Sequence, residues 1–219
     1  MTHHLLSSRR TWVLTITLLA ALLGGCAPIA TYNAAYITPP STPEAAKLPG
    51  KVLIYTTKAD DDTPWSGRPT SFTGSATTLT IPLGLITREI AATVFGDSFR
   101  DGAVKSNALP GAAGGYRVIV SPKVSAFSYE YNQLKNAGFA ITPTVVLTLE
   151  VAVLDSAGKT INQRRYDSGT VEMPAYFMSG SPGEEIGKAA HKAVFDLMVV
   201  AARDVRELLR LRGEGPLSL

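Results

Sequence analysis

Nucleophilic catalysis and nucleotide binding each require particular residue types at a particular spacing. Ser179 and Ser181 lie beside glycines in "MSGSPGE", which lacks the Gly-x-Ser-x-Gly spacing of an exposed nucleophilic serine. The stretch 183–190, "GEEIGKAA", has three residues between its glycines and Ala after the lysine, whereas a phosphate-binding loop needs four and then Ser or Thr. A helix start explains this stretch better. We therefore expect no catalytic residue and no enzyme activity.

The remaining polar candidates also favour structural roles. Asp60, Asp61 and Asp62 could offer oxygens to Ca²⁺, but a calcium loop alternates its ligands and adds a distal glutamate, so we expect a solvated loop and no metal site. His191 lies at the margin of an apolar helical stripe. We expect it to be an interhelical or surface side chain whose replacement by Ala changes folding little.

The single cysteine, Cys26, follows a segment with the order of an export signal. Arg9 and Arg10 come first, without any acidic residue before the cysteine, and residues 12–23 form an uncharged, Leu-rich run. A helix that spans a bilayer needs about 20 apolar residues, so this shorter run suits the hydrophobic region of a cleaved signal peptide.

The stretch Leu23-Gly24-Gly25-Cys26 resembles the lipobox of bacterial lipoproteins. The resemblance implies a diacylglycerol on the Cys26 sulfur, cleavage between Gly25 and Cys26, and acylation of the new amine. Two or more acyl chains anchor a protein stably, whereas one chain binds a membrane only marginally. Lipoproteins that are held back from the outer membrane carry Asp directly after the cysteine. This chain has Ala27 at that position, so the resemblance implies an outer-membrane location. Residues 8–12 also resemble a twin-arginine export motif, so the export route stays open.

Composition predicts one globular body behind this anchor. Hydrophobic residues make up 45% of the 219 residues and charged residues 18%, which allows a substantial core. The net charge of +3 falls to about +1 without Arg9 and Arg10, so we expect no nucleic-acid partner. The predicted parts are a signal peptide (1–25), a lipidated cysteine with a Pro-rich flexible tether (26–50), a globular domain (51–212) and a flexible tail (213–219). Tyr32 and Tyr36 could instead pin the tether to the body.

Hydrophobic periodicity predicts an α+β fold with a mainly antiparallel sheet of about four strands and two helices on one face. The predicted strands are 51–57, 116–133, 142–155 and 159–172, and the predicted helices are 80–101, capped by Thr80, and one that begins with a Ser181–Glu184 capping box. The polar stretch 58–77 either pairs in part as a strand or is functional. This element order resembles the small periplasmic domains of transport-auxiliary and curli-secretion-type lipoproteins.

Aromatic side chains provide the predicted binding surface. Phe127, Tyr129 and Tyr131 alternate along one strand, so they share a face. Phe139 follows in an apolar connection, and Trp65 lies in the polar stretch. These five residues could dock a partner, or the three strand rings could be covered by a helix and Trp65 could be a local staple.

We therefore expect a periplasm-facing, outer-membrane-anchored lipoprotein that acts as an accessory or docking component for an envelope protein. Its only attached group would be the lipid on Cys26. A lipid- or small-molecule-handling transport auxiliary, with an apolar pocket between sheet and helices, is the alternative, and an anchored hydrolase is the third. The oligomeric state stays open.

Overall fold

The computed structural model describes residues 29–110, 114–177 and 181–214. The predicted signal peptide and Cys26, together with residues 215–219, lie outside the described residues. The strands are β1 (Val52–Tyr55), β2 (Trp65–Gly67), β3 (Leu79–Ile81), β4 (Ala103–Ser106), β5 (Val118–Asn132), β6 (Thr142–Leu154) and β7 (Thr160–Glu172). The α-helices are α1 (Lys58–Asp62), α2 (Leu83–Ser98) and α3 (Pro182–Leu209). No helix among these residues is both apolar and long enough to cross a bilayer.

The main sheet has five strands in the order β4-β1-β5-β6-β7. β5, β6 and β7 are antiparallel, as predicted, but β1 lies parallel to both of its neighbours. The prediction of about four strands missed β4, whose sequence "AVKS" has neither an apolar run nor a fully buried residue. Parallel neighbours need a long crossover, and α2 supplies it between β1 and β4.

One face of the sheet holds the core, and α2 and α3 cover it. Apolar side chains alternate along residues 142–155 and predict one buried face for this strand. The structure confirms it, because all five are buried: Val145, Leu147, Leu149, Val151 and Val153. Ala190, Ala193 and Ala201 are buried on α3. Small side chains at these positions let α3 pack closely against the sheet and α2.

Both long helices begin differently from the prediction. Thr80 does not cap α2, because it lies in β3 opposite Ser66 of β2, and the helix begins after Pro82. Ser181 is the N-cap of α3, but its side chain makes no capping hydrogen bond. Glu184 instead accepts a hydrogen bond from the Tyr36 hydroxyl, at 3.4 Å.

The segment 29–50 is packed on the body and is not a flexible tether. Ile29 pairs with Thr80, and Leu48 is fully buried where it pairs with Phe99. The alternative in which tyrosines pin this segment is the one the structure shows. Apolar side chains between its prolines supply the contacts. The tether prediction rested on the proline content and did not take these side chains into account.

His191 provides one of these attachments. Its ring is fully buried, stacks on Tyr32 at 5.5 Å between centroids, and meets the Tyr36 ring edge-on at 5.2 Å. Nε2 accepts the Asn33 backbone N–H at 3.1 Å, so Nδ1 carries the proton and donates to the Gly187 carbonyl at 2.7 Å. The ring is thus not a surface side chain, and we now expect His191→Ala to destabilise the fold, since the change removes two hydrogen bonds and two ring contacts.

Candidate ligand-binding groove

The predicted docking rings share one face of β5, but two of them are buried. Tyr129 is 2% exposed and Tyr131 is 5% exposed, so neither can contact a partner. Trp65 covers Tyr129, with its ring 4.9 Å from Phe127 and 5.9 Å from Tyr129. The cover is the stretch after α1 and not a helix. Trp65 is the local staple that the sequence left as an alternative.

Residues 65–75 are held on β5 by a row of hydrogen bonds. The Tyr129 hydroxyl donates to the Gly67 carbonyl at 3.2 Å, and the Thr70 N–H donates to the Tyr129 carbonyl at 2.9 Å. Gly74 has a φ of +76°, and a Cβ there would lie 2.9 Å from the Tyr131 ring. Burial raises the pKa of Tyr131. The polar stretch thus pairs in part as strand β2, as one of the two predicted alternatives required.

Between this cover and β1, the outer edge of β5 lies open. β1 pairs with β5 only as far as Val120, and the cover reaches β5 at Tyr129. Among the described residues no strand pairs with the edge between them, and a groove of about 430 Å³ lies there. The groove is bounded by β5, α1, the first turn of α2 and the Trp65 region, and its lining includes Thr56, Asp60, Pro64, Trp65, Leu83, Gly84, Thr87, Pro122, Lys123, Val124 and Phe127.

The groove combines apolar walls with a few placed polar groups. Trp65, Leu83 and Phe127 provide apolar surface. Thr87 is buried, lines the groove, and has a hydroxyl without a hydrogen-bond partner in the structure. Lys123 forms an ion pair with Asp60 at 2.9 Å. Such a mixture of apolar walls and a few convergent polar groups is typical of small-ligand sites.

The aspartate run forms α1 and one side of the groove, not the solvated loop we expected. The Thr57 side chain caps α1 by accepting the Asp60 N–H at 3.1 Å. Hydrogen bonds from Thr57 and then Lys123 lower the pKa of Asp60. Asp61 pairs with Arg88, and Asp62 pairs with Lys58. The three carboxylates therefore bind separate protein donors. Within the described residues, no group of three or more histidine, cysteine or acidic side chains is arranged to bind a metal ion.

The open edge of β5 carries features that oppose the addition of another strand. Pro122 and Lys123 lie on it, and a bulge interrupts its pairing with β6 between Val124 and Ala126. Proline, lysine and bulges are common devices that protect sheet edges. This groove is therefore better suited to a compact ligand than to an extended peptide that would continue the sheet.

Sequence reasoning found Trp65 and Phe127 but missed the rest of the groove. Gly84, in the first turn of a predicted helix, was the one sequence feature that could have indicated a close approach of another segment. A Cβ at this position would lie 1.8 Å from the Asp60 carbonyl oxygen. Only glycine lets α1 approach α2 so closely. Phe139, the fifth predicted contact, does not line this groove and is exposed beyond the end of β5. The predicted lipidation and cleavage residues, Cys26 and Gly25, lie outside the described part of the chain.

No family model matches this sequence, and no curated protein matches it. Several solved structures resemble the fold at low identity, among them the following three. A neuraminyllactose-binding hemagglutinin homologue from Helicobacter pylori has 10% identity and a TM-score of 0.47, with 82% of this chain and 97% of that chain covered. The PelC dodecamer from Paraburkholderia phytofirmans has 13% identity and a TM-score of 0.37, with 74% and 93% covered. A minor lipoprotein from Acinetobacter baumannii has 12% identity and a TM-score of 0.33, with 71% and 91% covered. Likeness of this degree identifies neither a family nor a function.

Proposed function

We propose that this protein is a lipid-anchored, non-enzymatic envelope protein that binds a lipid or another small, largely apolar molecule in the groove beside β5. The lipobox-like residues 23–26 support the anchor, and Ala27 supports the periplasmic face of the outer membrane. The groove carries the binding role. This function is the transport-auxiliary alternative of the sequence analysis.

Ligand binding is better supported than protein docking, because two of the aromatic side chains proposed for docking are buried. Tyr129 and Tyr131 lie in the core, while a groove of about 430 Å³ lies open beside Trp65 and Phe127. A pocket of this size falls within the range of small-ligand sites. Hydrolysis has less support, because both ring nitrogens of His191 are engaged by the backbone and it cannot act as a general base.

The test is to identify what the groove holds. The lipidated protein is purified from membranes, denatured, and the released small molecules are measured by mass spectrometry. Val124→Phe enlarges a partly buried side chain that lines the groove on the same face of β5 as Phe127, and Ala157→Phe is the matched control in an exposed turn. We expect wild type and Ala157→Phe to release the same molecule near equimolar amount, and Val124→Phe to release several-fold less. Equal release from all three variants, or no released molecule from wild type, would contradict the proposal.

A further inference from the structure

Large apolar side chains are exposed together at one end of the molecule. The end of β5, the start of β6 and the end of β7 lie at this end. The start of α3 at Pro182 follows five residues after Phe177. The exposed side chains, 70–95% accessible, are Ile29, Phe72, Leu134, Phe139 and Phe177. We call these five residues the end patch.

Several contacts place the end patch in one region. Phe72 and Leu134 line the same groove, of about 400 Å³. Phe139 and Phe177 lie two residues and one residue from a bridge between Ile141 and Tyr176. This bridge joins the chain just before β6 to the chain just after β7.

Ile29 connects the end patch to the predicted anchor. It shares a small cavity with Ser181, at the start of α3, and it pairs with Thr80 in parallel. Because the pairing is parallel, the amino-terminal side of Ile29 faces the same way as that of Thr80. The loop that carries Phe72 joins β3 from that side.

The chain length between Cys26 and Ile29 then fixes how far the body can be from the membrane. Three residues span at most about 11 Å, and an acylated Cys26 lies at the headgroup level because its chains lie in the hydrocarbon. The backbone of Ile29 is paired with Thr80 of the body, so no free tether of some two dozen residues separates body and bilayer. The side of the body from which the chain leaves is the side that carries the end patch.

We propose that the end patch contacts the bilayer and that the body rests on the membrane in one fixed orientation. This proposal rests on the lipid anchor of the proposed function. Clustered exposed apolar side chains mark interaction surfaces, and here the proposed lipid on Cys26 would bring the bilayer within reach. The groove beside β5 then lies at a constant height above the membrane surface.

Fluorescent labelling of the full-length, lipidated protein tests this orientation. The sulfur of Cys26 is occupied by lipid, so a cysteine introduced elsewhere is the only free thiol. Leu134→Cys and Phe139→Cys are labelled with a nitrobenzoxadiazole probe in phosphatidylethanolamine–phosphatidylglycerol vesicles. Leu211→Cys is the matched control, since it is exposed and follows α3, about 42 Å from the helix start at 1.5 Å per residue.

We expect probes at 134 and 139 to emit at shorter wavelength than the probe at 211. We also expect doxyl-labelled lipids to quench them several-fold more strongly. In a second measurement, Leu134→Asp with Phe139→Asp should remove the blue shift of a probe at Phe72→Cys while the protein still floats with the vesicles.

Two results would overturn the proposal, and they differ from each other. If the protein floats with vesicles but all three probes behave as in water, the end patch does not contact lipid, while the anchor stands. If the protein does not float and Cys26 itself takes up the label, the anchor is wrong, and the membrane contact fails with it.

Discussion

At the scale of single residues, His191 shows how one buried side chain attaches a segment that composition alone marks as a tether. The neutral ring accepts one backbone hydrogen bond from the segment 29–37 and donates another within α3. A protonated ring would lose the acceptor at Nε2. Burial accordingly lowers the pKa of His191, although the hydrogen bond to Gly187 opposes the shift.

The lowered pKa predicts a pH-dependent stability with a definite sign. The unfolded histidine takes up a proton near pH 6.5 and the folded one only at lower pH, so the unfolded state gains protons first as the pH falls. Stability should be complete above pH 6.5 and fall by up to about 1.4 kcal/mol per pH unit below it, until the folded pKa is reached. Urea unfolding of wild type and His191→Gln between pH 7.5 and 5 measures this. The variant should lack this part of the slope, and equal slopes would contradict the assignment.

At the scale of elements, α3 covers the sheet and supplies much of the core that lies on its inner face. Its buried stripe faces β6, and Asp204 near its end holds Tyr166 and Arg164 of β7. The inward stripe that the sequence predicts for this helix is Ile186, Ala190, Ala193, Leu197, Ala201, Val205 and Leu208. The first six are buried, but at the last turn the buried leucine is Leu209, whereas Leu208 is only partly buried.

Two substitutions on opposite faces of α3 test this packing. Leu197→Asp would bury a carboxylate in the core and should cost several kcal/mol of unfolding free energy, enough to unfold many domains. Val199→Asp changes a side chain that is 38% exposed, and it should cost about 1 kcal/mol or less. Thermal unfolding followed by circular dichroism distinguishes them. Similar melting temperatures for the two variants would mean that α3 packs through another face.

At the scale of the whole molecule, the proposed anchor lies close to the body along the chain. The packed segment 29–50 leaves only residues 27 and 28 between Cys26 and the first paired residue of the described chain. A body anchored through Cys26 would stay close to its membrane, in contrast to the range of roughly 27 Å that a random coil of two dozen residues would allow.

Cys26→Ser tests the anchor itself. If the Cys26 sulfur receives the diacylglycerol, as proposed, the variant should remain an unprocessed precursor and should incorporate no radioactive palmitate in growing cells. Leu109→Ser, an exposed position within the body, serves as the control and should be processed and labelled as wild type. Palmitate incorporation into Cys26→Ser would end the lipoprotein interpretation.

The sequence by itself determined the features that depend on local pattern. Alternation along β6 identified its buried face, because side chains on a strand point to opposite sides with a period of two. Apolar spacing identified both long helices. Turn residues at 155–158 marked the β6–β7 connection.

Only the tertiary structure decided which side chains stay exposed and where a site forms. Tyr129 and Tyr131 have the alternation of a surface strand, yet Trp65 and the stretch after it, remote in sequence, cover them. The groove unites α1, α2 and β5 because β1 is too short to pair with all of β5. Burial and cavities depend on contacts between distant segments, and no local pattern in a single sequence encodes those contacts.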